Sequence, residues 1–305
     1  MYAPVNEWQR QGLLVRPDPA RWWMRTHAMA PTPHLRADGT HRLFFSGRND
    51  DNQSHIGWAD IALDDGRASV IRMSEEPVLS PGELGTFDDN GVTPSCAIRV
   101  GNEVLLYYIG WNPGSTTRMN IFGGLAVSTD DGDSFTRWSE APIIERSRTD
   151  PYINTAPFVV RQGDQLRMYY VSGVGWDDPD NPRYLIKTAY SSDGKSWQRD
   201  GRIAIDFSDS GEKALARPFV IAQDGGWQMW FAHKGDAYRF GYAESDDGVT
   251  WQRDDSRSGI DVATTGWDSE MIEYGAIVDA GGYRYLFYNG NNYGFDGLGY
   301  VVSPS

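Results

Sequence analysis

The 305-residue sequence contains a single cysteine, Cys96, so no disulfide can form within the chain. One thiol suits a reducing compartment, and the apolar stretch around Cys96 predicts a core position. No run of 18 apolar residues occurs and no signal-peptide core opens the chain, which argues for a soluble, cytoplasmic protein. Positive charge is also scarce: 28 Lys and Arg stand against 42 Asp and Glu, a net charge of −14. Phosphate binding wants a basic face, so this balance disfavours nucleic acid and anionic membranes as partners. No His, Cys or Asp spacing is diagnostic of a metal, and nothing calls for a cofactor.

Aromatic residues are plentiful: 12 Trp, 16 Tyr and 12 Phe. They recur in register. A short apolar strand carrying a small or polar residue before Pro appears as Thr32-Pro33, Thr93-Pro94, Ala156-Pro157 and Arg217-Pro218, and a fifth copy reads Tyr274-Gly275. Each copy continues through a turn (Asp38-Gly39, Gly101-Asn102, Gly163-Asp164, Asp224-Gly225-Gly226, Gly281-Gly282) into an aromatic strand. Those strands are Leu43-Phe44-Phe45, Leu106-Tyr107-Tyr108, Met168-Tyr169-Tyr170, Met229-Trp230-Phe231 and Leu286-Phe287-Tyr288. Five strand-rich units of roughly 60 residues indicate an all-β fold, a single five-bladed β-propeller. Length alone suggests two domains, but the five units use the whole chain, so residues 1–305 read as one.

Three units carry a Ser-Asp-Gly turn ending in an aromatic: Ser128 to Phe135, Ser191 to Trp197 and Ser245 to Trp251. Such a turn needs only an Asp that bonds backbone amides and an aromatic that fills the gap between blades, so it reads as structural. The fifth unit ends without room for an outer strand. Trp8-Gln9-Arg10-Gln11-Gly12 matches Trp197-Gln198-Arg199-Asp200-Gly201, so the N-terminal strand is expected to complete the last blade and remove an open sheet edge.

In a propeller the start of the first strand and the end of the second share one face. About six residues before each anchor stand His27, Asp88, Asp150, Glu212, and Asp268 or Glu270. Asp89 adjoins this rim, and strand-two ends add Arg48, Trp111, His233, Lys234, Asn289, Asn291 and Asn292. Arg217 lies inside the channel, where a cation is costly unless paired. Carboxylates and amides that grip hydroxyls, with Trp111 or Trp176 to stack on a ring face, describe a sugar pocket. Converging carboxylates split their pKa values into an acid and a base, the requirement of glycoside hydrolysis.

On these features the chain resembles the five-bladed propellers of glycoside hydrolase families 32, 43, 62, 68 and 117. The resemblance implies an Asp, an Asp and a Glu from successive blades: Asp88 as base or nucleophile, Asp150 as transition-state stabiliser and Glu212 as acid. Arg148-Thr149-Asp150-Pro151 looks like the Arg-Asp-Pro element of family 32 with one residue inserted. The chain departs from the pattern in its first blade, where the families place an Asp and this chain has His27-Ala28-Met29-Ala30-Pro31. The expected function is glycosidase-like hydrolysis or transfer on a small sugar or glycosylated substrate. Two alternatives stand beside it. One is a lyase, isomerase or cyclase of surface-polysaccharide or secondary-metabolite biosynthesis, using His27 or His233 with Glu270 for proton transfer. The other is a sugar-binding propeller without chemistry.

Overall fold

The computed structural model describes residues 6–209, 211–223 and 225–305. Asp224, expected in the fourth turn, lies outside them. Strands come in five antiparallel groups of four. The first blade is Thr26–Leu35, His41–Arg48, Ser54–Asp64 and Arg67–Met73; the second is Gly91–Val100, Glu103–Pro113, Met119–Ser128 and Thr136–Arg137. The third is Asn154–Gln162, Gln165–Asp178, Asn181–Ser191 and Ile203–Ile205; the fourth is Ala214–Gln223, Gly226–Lys234, Tyr238–Ser245 and Gln252–Arg253. The fifth takes Glu273–Ala280, Tyr283–Asn289 and Leu298–Pro304 from the end of the chain and Gln9–Val15 from its beginning. This is the five-bladed propeller with its N-terminal strand in the last blade. Single parallel bridges, Ser54 to Gly91, Asn154 to Phe122 and Tyr184 to Ala214, link successive blades near one end of the axis.

The blades seal against one another through the second-strand aromatics. Phe135, Trp197 and Trp251, which close the Ser-Asp-Gly turns, each meet an aromatic of the preceding blade edge-on: Phe44, Tyr107 and Tyr169. The turn aspartates accept from Ser134, Ser196 and Thr250 backbone amides at 2.8–2.9 Å, as an Asx turn requires. Opposite the mouth, Thr32, Cys96, Phe158 and Phe219 narrow the axis to a cavity of about 100 Å³. Cys96 is buried there and free, and burial pushes its thiol up to about 12.

The anchor strands share a kink. Ala30, Ala156, Arg217 and Tyr274 adopt left-handed φ of 59°, 47°, 43° and 57°, and each kink coincides with a register shift against the second strand. For residues with a Cβ this conformation is strained, and surrounding packing must enforce it. The pairing of Thr32 with Phe44, Phe158 with Tyr169 and Phe219 with Trp230 makes Ala30-Pro31 the first-blade counterpart of Ala156-Pro157 and Arg217-Pro218. The sequence alignment on Thr32-Pro33 is therefore two residues late. His27 does not correspond to Asp88, Asp150 and Glu212; the first blade instead puts buried Trp23 against Phe45.

Candidate active site

The regularly spaced acids do not form one converging cluster. Each is buried and bound within its own blade, with an arginine from the outer strand or its flank. Asp88 accepts from Tyr108 Oη at 3.0 Å and Arg137 Nε at 2.9 Å. Asp150 accepts from Lys187 Nζ at 2.8 Å, and from Tyr170 Oη and Arg199 Nη1 at 3.2 Å. Asp268 accepts from Tyr288 Oη at 2.7 Å and Arg10 Nε at 3.1 Å. In the fourth blade Phe231 replaces the tyrosine, and Glu212 takes Arg253 at 2.6 and 2.8 Å and His233 Nδ1 at 3.0 Å. Burial raises the Asp150 and Glu212 carboxyls, but the cations and hydrogen bonds outweigh it. Asp150 ends below its usual range and Glu212 at about 2. Both are fixed anions rather than acids with a proton to give.

The remaining expected residues separate. Glu270 is exposed, and among the described residues only its backbone is held, by Asn291 and Arg239. Asp89 closes a turn on the Gly85 amide. Trp111 gives its indole N–H to Ser54 at 3.1 Å. Trp176 stands half-buried on the long third-blade hairpin, opposite Pro182. Glu212, His233 and Asp255 bring possible metal-ligand atoms within 4.8 Å of one another, but Arg253 Nη2 lies 2.6 Å from both carboxylates and supplies the cation itself. An open groove of about 510 Å³ beside them is walled by Phe207, Trp251 and Arg253.

The kinked anchor strands assemble a different group on the axis. Arg217, 3% exposed, reaches from the fourth blade to Pro31 O and Thr32 Oγ1 of the first and Ser95 O of the second, at 2.9–3.2 Å. Its Nη1 has no partner among the described residues, nor do Ser95 Oγ, Thr155 Oγ1 and Glu273 Oε2. These four buried polar atoms all belong to innermost strands. Buried polar groups are normally satisfied, so these four are open to bonds from water or a ligand.

Glu273 is fully buried. Its Oε1 accepts from Asn289 Nδ2 at 2.8 Å, and Asn289 is in turn fixed by the Ala30 amide at 3.0 Å. Burial pushes the Glu273 carboxyl well above its usual range; Asn289, Lys234, Arg217 and the adjacent Tyr274 hydroxyl oppose this without reversing it. The shift favours the protonated, neutral form of the carboxyl, and Oε2 has no hydrogen-bond partner among the described residues. Glu273 and Asp279 are the only carboxyl residues on the five innermost strands, and Asp279 pairs with Arg284 near the far end.

Tyrosines surround Glu273. Tyr274 follows it, its ring 5.9 Å from that of Tyr238; Tyr238 Oη meets Tyr184 Oη at 2.5 Å, and Tyr293 packs edge-on against Tyr238. Burial raises the Tyr184, Tyr238 and Tyr274 phenols, so they act as neutral hydroxyls. Lys234 Nζ lies 5.4 Å from the Tyr238 ring. Arg48 is half-buried near Tyr274 and Tyr293; desolvation lowers its pKa, which Tyr274 offsets only in part and Arg118 lowers further. His27 lies between Phe295 and the Asn292 backbone; burial and then Arg48 lower it to about 4, so its ring is neutral. Of the expected residues, the axis thus gathers His27, Arg48, Arg217, Lys234, Asn289 and Asn292. Sequence reading missed Glu273, Tyr274, Tyr184 and Tyr238. The available signal was a break in the repeat: the Glu273 position is Ala216 in the fourth blade and Thr155 in the third.

No family model matches the chain. The uncharacterized protein Rv1502 of Mycobacterium tuberculosis is 38% identical over 296 residues, covering 97% of this chain and 98% of that one. Among solved structures, BT0996 in an RGII complex superposes with a TM-score of 0.75 at 17% identity, over 99% of this chain and 92% of its own. A thermostable family-43 glycoside hydrolase gives 0.65 at 16% over 91% and 88%. An endo-arabinase from Bacteroides thetaiotaomicron gives 0.63 at 12% over 97% and 98%. At these identities the likeness is one of fold: a glycoside hydrolase-like propeller.

Proposed function

Because this chain belongs to the family of the uncharacterized Mycobacterium tuberculosis protein Rv1502, we propose its function from the site itself: a carbohydrate-active enzyme that cleaves or transfers a glycosidic bond at the axial mouth. The five blades serve it as one domain. The observation that carries this reading is Glu273, a fully buried carboxyl with one oxygen unpartnered among the described residues and its pKa raised by burial, at the axis of a glycoside hydrolase-like propeller. Glu273 donates its proton from Oε2 to the departing glycosidic oxygen, while Asn289 holds Oε1; water or an acceptor hydroxyl bonds the anomeric carbon, and the proton it releases restores the Glu273 acid. The Tyr184, Tyr238 and Tyr274 hydroxyls bond sugar hydroxyls, and the exposed Tyr293 ring offers an apolar face to a sugar ring. Asp88, Asp150 and Glu212 hold the blades that carry the site.

A second reading has one observation in its favour. No second carboxylate of the innermost strands stands beside Glu273, whereas glycoside hydrolysis ordinarily uses two. Neutral His27 as base and Glu273 as acid would instead serve a non-hydrolytic proton transfer.

The test is a turnover screen against nitrophenyl furanosides and pyranosides and a set of nucleotide sugars, read by mass spectrometry. Glu273→Gln and Glu212→Gln are run in parallel. A released sugar that vanishes only with Glu273→Gln supports the first reading; an eliminated or isomerised product supports the second. Full turnover by folded Glu273→Gln rejects both.

A further inference from the structure

The axial site is rich in cations although the molecule is acidic. The chain carries a net −14, yet Arg48, Arg217 and Lys234 gather on the axis with neutral His27, around the Glu273 carboxyl and its tyrosines. Four arginines are buried among the described residues. Arg42 and Arg284 are ion-paired, with Asp60 and Asp279 at 2.7 Å. Arg167 bonds Gln162 and Tyr190 at 2.6 and 2.9 Å. Arg217 alone of the four keeps a buried nitrogen unpartnered, and no carboxylate of the described residues lies within 4.0 Å of it. A buried guanidinium without a counter-ion is costly, and the fold tolerates this one on the axis, beneath the acid.

The rim repeats the arrangement. Arg48 bonds only the neutral Asn52 amide oxygen, at 2.8 Å, and its Nε is buried and unpartnered among the described residues. Lys234 Nζ faces the Tyr238 ring and makes no ion pair with the described residues. Floor and rim thus present cationic donors around the one acid proton that the proposed reaction uses.

We infer that the substrate carries a negatively charged substituent, a carboxylate or a phosphate, which binds between Arg217 and the rim cations Arg48 and Lys234. The inference rests on the axial mouth being the sugar site. An anion there supplies the counter-charge that Arg217 lacks and pairs with groups able to form charge-assisted hydrogen bonds. A neutral sugar would leave those cations desolvated without compensation.

Isothermal titration with glucuronate, galacturonate, glucose 1-phosphate, galactose 1-phosphate, glucose and galactose tests this. The charged sugars are expected to bind at least about tenfold tighter than the neutral ones, the scale of one charge-assisted bond. That preference should shrink as salt is raised. Lys234→Met should weaken the charged sugars and leave the neutral ones unchanged. Arg217→Met should abolish the preference; should it fail to fold, Arg48→Gln serves in its place. Uronates binding alone assigns a carboxylate, and phosphates binding alone assigns a phosphate. Neutral sugars binding as tightly as charged ones overturns this inference and leaves the sugar site standing. Binding of none of the six contradicts both.

Discussion

Arg10, on the first strand, donates through Nε to Asp268 Oδ2 at 3.1 Å, 258 residues further along the chain. This contact closes the ring, because it joins the N-terminal strand to the loop that precedes the last innermost strand. Asp268 is buried and, among the described residues, its carboxylate keeps only Tyr288 Oη if the arginine is lost. Arg10→Met is expected to lower stability by about 1–3 kcal/mol, the cost of leaving a buried carboxylate short of a partner, reduced because Arg10 is partly exposed. Urea unfolding monitored by tryptophan fluorescence measures it.

The blade acids and the axial acid should separate in mutagenesis. Asp150→Asn leaves Lys187 buried without its counter-charge and is expected to cost about 3 kcal/mol. Its turnover loss should track the unfolded fraction. Glu273→Gln keeps a neutral, similarly shaped group and should leave the melting temperature nearly unchanged while abolishing turnover. Paired thermal melts and rates decide this, and equal rate losses at equal stability would contradict it.

The pH dependence carries two opposite signs. Glu212 falls to about 2 in the fold, and Asp150 is also lowered. Their stabilisation is present above the ordinary carboxylate range, about 4, and is lost as pH falls towards 2. Glu212→Gln should therefore flatten the stability profile between about pH 5 and 2. Glu273 is raised, so its contribution is complete below its unfolded value and fades as pH rises through the folded one. Turnover should fall on the alkaline side for the same reason, and Glu273 should be the group whose titration sets that limb.

Chelation should have no effect on the fourth blade. Arg253 already lies 2.6 Å from both Glu212 and Asp255, so a divalent ion would have to displace it. Melting temperatures with and without EDTA are expected to agree. Arg253→Ala should lower the melting temperature, and a zinc-dependent recovery in that variant alone would show the three remaining side chains acting as ligands.

Much of the fold was readable because a propeller repeats its sequence. Trp8-Gln9-Arg10 matched Trp197-Gln198-Arg199 and Trp251-Gln252-Arg253, and all three serve their blades in the same way. The third residue of that motif is the arginine that holds the blade's acid. Read together, the recurrence of acid and arginine already signalled structure, since a catalytic centre breaks the symmetry that a scaffold keeps. The first blade has no such pair and fills the space with Trp23 and Phe45. The site was less legible for the converse reason. Glu273 and Arg217 occur once each, on kinked strands whose left-handed residues no local preference favours. Only the shift between Thr32-Pro33 and Ala30-Pro31 reveals which positions face the axis.

The central claim is that Glu273 holds a proton at the axis at physiological pH. Carbon-13 NMR of protein labelled at the glutamate δ-carbon, titrated beside Glu273→Gln, measures it directly. One carboxyl resonance should remain in its protonated position at pH 7 and be missing from the variant. If every glutamate resonance has titrated by about pH 5, Glu273 is an ordinary carboxylate and the axial acid does not exist.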